Sequence, residues 1–145
     1  MMKMDYFKVM FTDIEDEVIW NTSTEKGIQL NHRFYGLLNK EINITNWKDE
    51  YYKLYLDWLH NDNESIYDIN HPINLNMINA LIKVNQLAFE FKIYYWFDVN
   101  RDKYPEFVWN VCPLSGTPLI ALANSFHINN KKISSVFPLI FPSME

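Results

Sequence analysis

Two segments in the middle of the chain carry apolar side chains around most of the circumference of a helix. Residues 45–61 place their apolar side chains on one wide arc at about 100° per residue. The arc consists of Trp47, Tyr51, Leu54, Tyr55, Trp58 and Leu59. Residues 74–91 have only a narrow polar stripe, so their apolar surface is broader still. Helices of this kind need a covering layer, and that need constrains the fold more than any other feature.

The C-terminal third of the chain supplies segments that can form this layer. Residues 92–99 alternate in the period of a strand, and 106–111, 118–126 and 133–141 are further extended segments. We expect an antiparallel β-meander in the C-terminal third, with the two principal amphipathic helices packed on one face. Prolines 138 and 142 confine the last segment to an edge or an irregular path.

The N-terminal region adds two predicted strands, at 6–11 and 18–20. A length of 145 residues without a Ser/Gly linker or an internal repeat predicts one domain, 1–145. The predicted fold class is therefore α+β.

Charge and composition exclude several classes of partner. The chain has 13 basic and 18 acidic residues, a net charge of −5, and its arginines are Arg33 and Arg101. Phosphate recognition favours arginine and a basic surface, so we expect no direct nucleic-acid binding and favour a basic protein partner. One cysteine permits no internal disulfide, and no apolar window reaches the length of a membrane span. The start of the sequence lacks the apolar core of a signal peptide. We expect a cytoplasmic protein with no membrane contact.

The cysteine lies in Cys112-Pro-Leu-Ser-Gly-Thr-Pro, which is similar to half of a zinc ribbon. Ser115 occupies the position of the second thiolate, and a structural zinc site needs four ligands. As a nucleophile, Cys112 would need a base such as His127 close in space. The plainer interpretation is a hairpin turn in which Gly116 adopts a positive φ. We predict no metal site, no cofactor and no catalytic residue.

Two groups of carboxylates are candidates for binding a basic partner. The first lies in the loop after the first strand, and the second surrounds the Asn/Asp-rich loop that follows the first long helix. They are Asp13, Glu15, Asp16 and Glu17, and Asp57, Asp62, Glu64 and Asp68. On the flank of that helix, Tyr52 and Leu56 are candidate apolar anchors, so we favour the second group. Most such clusters are solvated loop charge, which is the simpler explanation.

In overall character the chain resembles small, acidic, aromatic-rich bacterial immunity proteins, although no motif carries the resemblance. The resemblance implies a non-enzymatic module that neutralises a cognate toxin, typically a basic nuclease, by direct binding. Two alternatives stay open at this point. One is a small enzyme whose histidine and carboxylate residues meet only in the folded chain. The other is a phage or bacterial adaptor that homo-oligomerises through an edge strand or an aromatic surface.

Overall fold

The computed structural model describes residues 5–87, 90–122 and 131–143. Within them the chain forms three α-helices, a one-turn 3-10 helix (Ser65–Tyr67) and six strands. The helices are α1 (Arg33–Asn39), α2 (Ile44–Asn61) and α3 (Pro72–Gln86). The strands are β1 (Asp5–Val9), β2 (Ile19–Asn21), β3 (Phe91–Trp96), β4 (Ile120–Leu122), β5 (Lys131–Ile133) and β6 (Leu139–Pro142). The predicted α+β class is confirmed.

The six strands form one mixed sheet in the order β2-β1-β3-β6-β5-β4. Strand β3 runs parallel to both of its neighbours, β1 and β6, and the remaining pairs are antiparallel. The prediction of an antiparallel meander is therefore only partly right, since it holds for β4, β5 and β6 but not for β3. Parallel neighbours need a long crossover, and the three helices between β2 and β3 provide it.

Two strand assignments differ from the sequence prediction. Strand β6 lies between β3 and β5 rather than at an edge, because Pro138 and Pro142 stand at its two ends and leave the residues between them free to pair. Residues 106–111 do not form a strand, and only Val111 makes an isolated bridge, to Pro118. The predicted strand 118–126 is observed over Ile120–Leu122, and residues 123–126 lie outside the described residues.

The two principal helices, α2 and α3, pack on one face of the sheet as predicted, and α1 contributes to the same core. The core lies between alternate residues of β1 and β3 and the apolar faces of the helices. The strands contribute residues such as Val9, Ile93 and Tyr95, and the helices contribute Leu38, Trp47, Met77, Leu81 and Val84. Helix α2 begins after Asn43, whose side chain accepts a hydrogen bond from the Asn46 N–H at 3.0 Å. Asn46 itself lies in the first turn of the helix.

The opposite face of the sheet carries a smaller apolar cluster and buried charge. Residues of this second face include Tyr6 and Tyr94, whose rings stack at 5.9 Å, together with Trp96 and Ile140. The cluster continues through Leu122 and Ile133. Lys8 and Lys131 lie here with 2% and 6% of their surface exposed. Both ammonium groups bind one carboxylate, Glu25, at 2.8 and 2.5 Å.

Candidate functional site

A cleft of about 520 Å³ opens where the parallel strands β1 and β3 end. The two strands run in the same direction, so the segments that leave them, residues 10–14 and 97–102, emerge at one edge of the sheet. Helix α2 and the 3-10 helix form the opposite wall. The carboxyl edge of parallel strands is where open sheets commonly bind ligands.

One wall of the cleft is a continuous aromatic row, consisting of Phe11, Tyr51, Tyr55, Trp58 and Tyr67. The three α2 residues are spaced i, i+4 and i+7, so they share one face of the helix. Ring centroids are 5.7 Å apart from Phe11 to Tyr55, 5.8 Å from Tyr55 to Trp58 and 5.6 Å from Trp58 to Tyr67. The wide apolar arc of α2 therefore contributes to two regions. Trp47 packs in the core, and Tyr51, Tyr55 and Trp58 line the cleft.

Three aspartates and one arginine also line the cleft. Arg101 binds both oxygens of Asp98, through Nε at 3.0 Å and a terminal nitrogen at 2.8 Å, and donates to the Phe107 carbonyl at 2.7 Å. Asp13, at the other end, accepts a hydrogen bond from the Tyr55 hydroxyl at 3.3 Å. In the part of the chain that the structure describes, neither Asp13 nor Asp102 forms a salt bridge. The cleft is therefore negative on balance.

The environment of the cleft raises the pKa values of two tyrosines in the aromatic row. Burial, together with the neighbouring carboxylates of Asp102, Asp98 and Glu64, raises the pKa of Tyr67 to about 12. Burial also raises the pKa of Tyr55, with a further contribution from Asp13. Both shifts follow because a phenolate is disfavoured by desolvation and by neighbouring negative charge.

The first predicted group lies along the loop that enters the cleft. Asp13, Glu15 and Asp16 are exposed, and Glu17 is half-buried. Lys48 of α2 holds the loop in place, donating to the backbone carbonyls of Glu15 and Asp16 at 3.0 and 3.1 Å. Only Asp13 of this group lines the cleft.

The second predicted group is largely engaged in local structure. Asp57 accepts hydrogen bonds from the side chains of Asn63 and Asn61, which lower the pKa of its carboxyl. Asp62 caps α2 in the left-handed conformation with φ of 59°.

The remaining two members of the second group lie beyond this cap. Glu64 forms a salt bridge to Lys103 at 3.6 Å and accepts from the Asn100 side chain at 3.3 Å. Asp68 accepts from the Asn70 N–H at 3.0 Å. Of the second group, Glu64 comes closest to the cleft, through its effect on Tyr67.

The predicted anchors are placed differently from expectation. Tyr52 is 43% exposed, and its ring lies 6.1 Å from that of Phe11 and 6.3 Å from that of Tyr55. Tyr52 is therefore contiguous with the first group, not the second, because its helical position turns it toward the loop after β1. Leu56 is half-buried.

Sequence reasoning missed several functional candidates in this region, including Tyr55, Trp58 and Tyr67 of the aromatic row. Ile14 is 84% exposed between acidic neighbours, and Phe11, Asp98 and Asp102 line the cleft beside it. A signal existed for Asp98, which lies near the end of the alternating segment 92–99 and two residues beyond β3. Polar residues at a strand end approach those of the parallel neighbour. Use of this signal required knowing that β1 and β3 are parallel.

The segment around Cys112 is a turn, as predicted. Gly116 has a φ of 71°, the Cys112 N–H donates to the Thr117 carbonyl at 2.8 Å, and the Gly116 N–H donates to the Cys112 carbonyl at 2.7 Å. The thiol is 1% exposed. Burial alone raises its pKa, but hydrogen bonds with Ser115 and Ser134 bring the pKa below its ordinary value. His127 lies outside the described residues.

Histidines 32 and 71 act as helix N-caps, each accepting a backbone N–H at Nδ1. Among residues 5–87, 90–122 and 131–143, no three His, Cys, Asp or Glu side chains are grouped to hold a metal ion.

Comparison of the chain with protein-family models, with curated proteins and with solved structures gives no match. No α-helix within the described residues is long and apolar enough to cross a membrane.

Proposed function

We propose that this protein is a non-enzymatic binding module for a basic protein partner, most concretely a bacterial immunity protein that neutralises a cognate toxin. The observation that carries the proposal is the combination of exposed apolar residues and exposed carboxylates beside the cleft. Ile14 and Tyr52 are exposed, while Asp13, Glu15 and Asp16 surround Ile14 in the same loop.

This composition suits a protein interface. Apolar and aromatic anchors supply most of the binding energy of an interface, and a charged rim steers the encounter. The Tyr52 ring lies against those of Phe11 and Tyr55, and tyrosine has only two rotatable side-chain bonds, so little side-chain entropy is lost when it is covered. A net charge of −5 adds a long-range attraction for a basic partner. The proposal includes a cytoplasmic location, where the toxin of the producing cell would be intercepted.

An adaptor that homo-oligomerises is the second candidate, and it is favoured by one observation. Strand β4 is at the edge of the sheet, and Ile120 within it is 51% exposed. An apolar edge strand is a template for pairing with a second copy. Sedimentation of the purified protein over a range of concentrations distinguishes the two candidates, since the immunity proposal requires no self-association.

The test is co-expression with the products of the neighbouring genes. We expect one of them to inhibit growth when expressed alone, to be neutralised by this protein, and to co-purify with it. A matched pair of variants assigns the surface: Ile14→Asp with Tyr52→Ala at the proposed interface, and Leu30→Asp with Leu87→Ala at exposed apolar positions elsewhere. Neutralisation lost in the first pair and kept in the second supports the proposal. Equal loss, or the absence of any neutralised neighbour, contradicts it.

A further inference from the structure

We infer that the cleft between α2 and the carboxyl ends of β1 and β3 is a recognition pocket for a lysine or arginine side chain of the partner. This inference rests on the proposed function and assigns a specific chemistry to the cavity beside the exposed anchors. Three features of the described residues carry it.

The first feature is the aromatic wall. Tyr55, Trp58 and Tyr67 follow one another at centroid separations below 6 Å and all line the cavity. Aromatic faces attract ammonium and guanidinium groups, and tryptophan does so most strongly. The wall also matches the long methylene stem of a basic side chain, which favours apolar surface while its head stays polar.

The second feature is unneutralised carboxylate at both ends of the wall. Asp13 lies at the Tyr55 end and binds its hydroxyl, whereas Asp102 lies at the Tyr67 end. Neither forms a salt bridge within the described residues, because the one arginine that lines the cleft is held by Asp98. Carboxylates in a concave site with apolar walls focus a negative potential, and the raised pKa of Tyr67 has this field as a contributing cause.

The third feature is the binding mode of Arg101 itself. Its guanidinium is held at the rim by two oxygens of Asp98 and by the Phe107 carbonyl. Within the lining of the cleft, the Asp98 carboxylate therefore already binds a guanidinium of this chain, whereas Phe107 lies outside that lining. A volume of about 520 Å³ is in the range of ligand sites and leaves room for a basic side chain with part of its backbone.

The experiment uses short capped peptides as probes of the full-length protein. The probes are acetyl-Gly-Arg-Gly-amide and acetyl-Gly-Lys-Gly-amide, with acetyl-Gly-Gln-Gly-amide as the neutral control. Binding is followed by NMR at the Trp58 indole N–H, assigned with Trp58→Phe. We expect saturable shifts of this signal with the two basic peptides, and none of comparable size with the glutamine peptide.

Two double variants of equal charge change locate the site. Asp13→Asn with Asp102→Asn removes the carboxylates of the cleft, and Asn keeps an acceptor for the Tyr55 hydroxyl. Asp49→Asn with Glu50→Gln removes two exposed carboxylates from the same helix. We expect the first to weaken peptide binding about tenfold, because both carboxylates line the cleft, and the second less than about twofold, because Asp49 and Glu50 lie outside its lining.

Equal weakening of peptide binding by both double variants, or equal shifts of the Trp58 signal with basic and neutral peptides, would overturn this inference. A neighbouring-gene toxin that is neutralised while the basic peptides leave Trp58 unshifted refutes this inference and leaves the proposed function standing. Selective peptide binding without any neutralised toxin supports the pocket and refutes the immunity role.

Discussion

The buried charge on the second face of the sheet gives the sharpest stability prediction. Glu25 follows β2 and Lys131 begins β5, at nearly opposite ends of the strand order, and Lys8 lies between them on β1. The single carboxylate thus joins segments that the sheet itself keeps apart. We predict that Glu25→Gln lowers the free energy of unfolding by about 3 kcal/mol, near the lower end of the range for breaking a buried ion pair.

The magnitude follows from the two contacts and the exposure of the groups. A hydrogen bond to a charged group contributes about 1.5–3 kcal/mol, and Glu25 accepts one from each lysine. The Glu25 side chain is 37% exposed, which reduces the sum, whereas those of Lys8 and Lys131 are only 3% and 8% exposed. Removing the carboxylate therefore leaves two ammonium groups dehydrated without an anion.

Lys8→Met is the matched control. Burial lowers the pKa of Lys8 although Glu25 raises it, so the protonated amine is disfavoured. Burial alone would raise the pKa of Glu25, but hydrogen bonds and ion pairs with the two lysines bring it below its ordinary value. Both pKa values are lowered, which disfavours the charged form of Lys8 and favours the charged form of Glu25. The two groups differ because Lys8 loses most of its hydration and Glu25 keeps part of it. Methionine fills the same volume, gives up the contact with the Trp96 ring at 4.3 Å, and leaves Glu25 paired with Lys131. We expect a change within about 1 kcal/mol.

Urea denaturation at pH 7, followed by circular dichroism, measures both variants. A lowered folded-state pKa of Glu25 means that its contribution is complete above its unfolded pKa of about 4.3 and is lost as the pH falls through the folded value. The difference between wild type and Glu25→Gln should accordingly shrink below about pH 4. A loss under about 1 kcal/mol at pH 7, or an equal loss in Lys8→Met, would refute the reasoning.

Three further predictions concern single groups. Asn85→Ala should destabilise the protein by about 2 kcal/mol in the same denaturation assay, because the Asn85 amide pairs with both the N–H and the C=O of Ile93 at 2.8 Å; a loss below about 0.5 kcal/mol contradicts this role. Gly116→Ala should cost about 1 kcal/mol, since φ is 71° there and alanine disfavours that conformation; an unchanged unfolding midpoint would count against the turn geometry. Tyr67→Phe should remove a phenol that ionises at about pH 12 from the ultraviolet titration of the folded protein; loss of a component near pH 10 instead would show that Tyr67 is solvated.

Local patterns in the sequence identified the main helices because the helical spacing of apolar residues repeats over long segments. The pattern of 74–91 located α3, but its start was placed two residues late, at Asn74 rather than Pro72. Proline suits the first turn because it needs no N–H partner, and His71 caps the helix before it. Asn85 interrupts the apolar side of α3, and its half-buried side-chain amide is hydrogen-bonded to both backbone groups of Ile93.

Local sequence patterns could not predict which strands pair with each other. Alternation in 92–99 predicts a strand but not its neighbours, and the parallel pairing of β3 with β1 and β6 depends on contacts between distant segments. The cleft was unpredictable for the same reason, since its lining comes from residues 10–14, 51–67 and 95–102. Charge counting found Asp13 and its neighbours, but only the fold places Tyr52 beside them.

The measurement that tests the proposed function most directly is the association rate with the co-purified partner at low and high salt. Reversal of Asp13, Glu15 and Asp16 to lysine should slow association about tenfold or more at low salt and flatten its dependence on ionic strength. The same reversal of Asp62, Glu64 and Asp68 is the control for net charge and should have a smaller effect, with circular dichroism confirming that both variants are folded. Unchanged association in both triple variants at low salt would contradict electrostatic recognition of a basic partner.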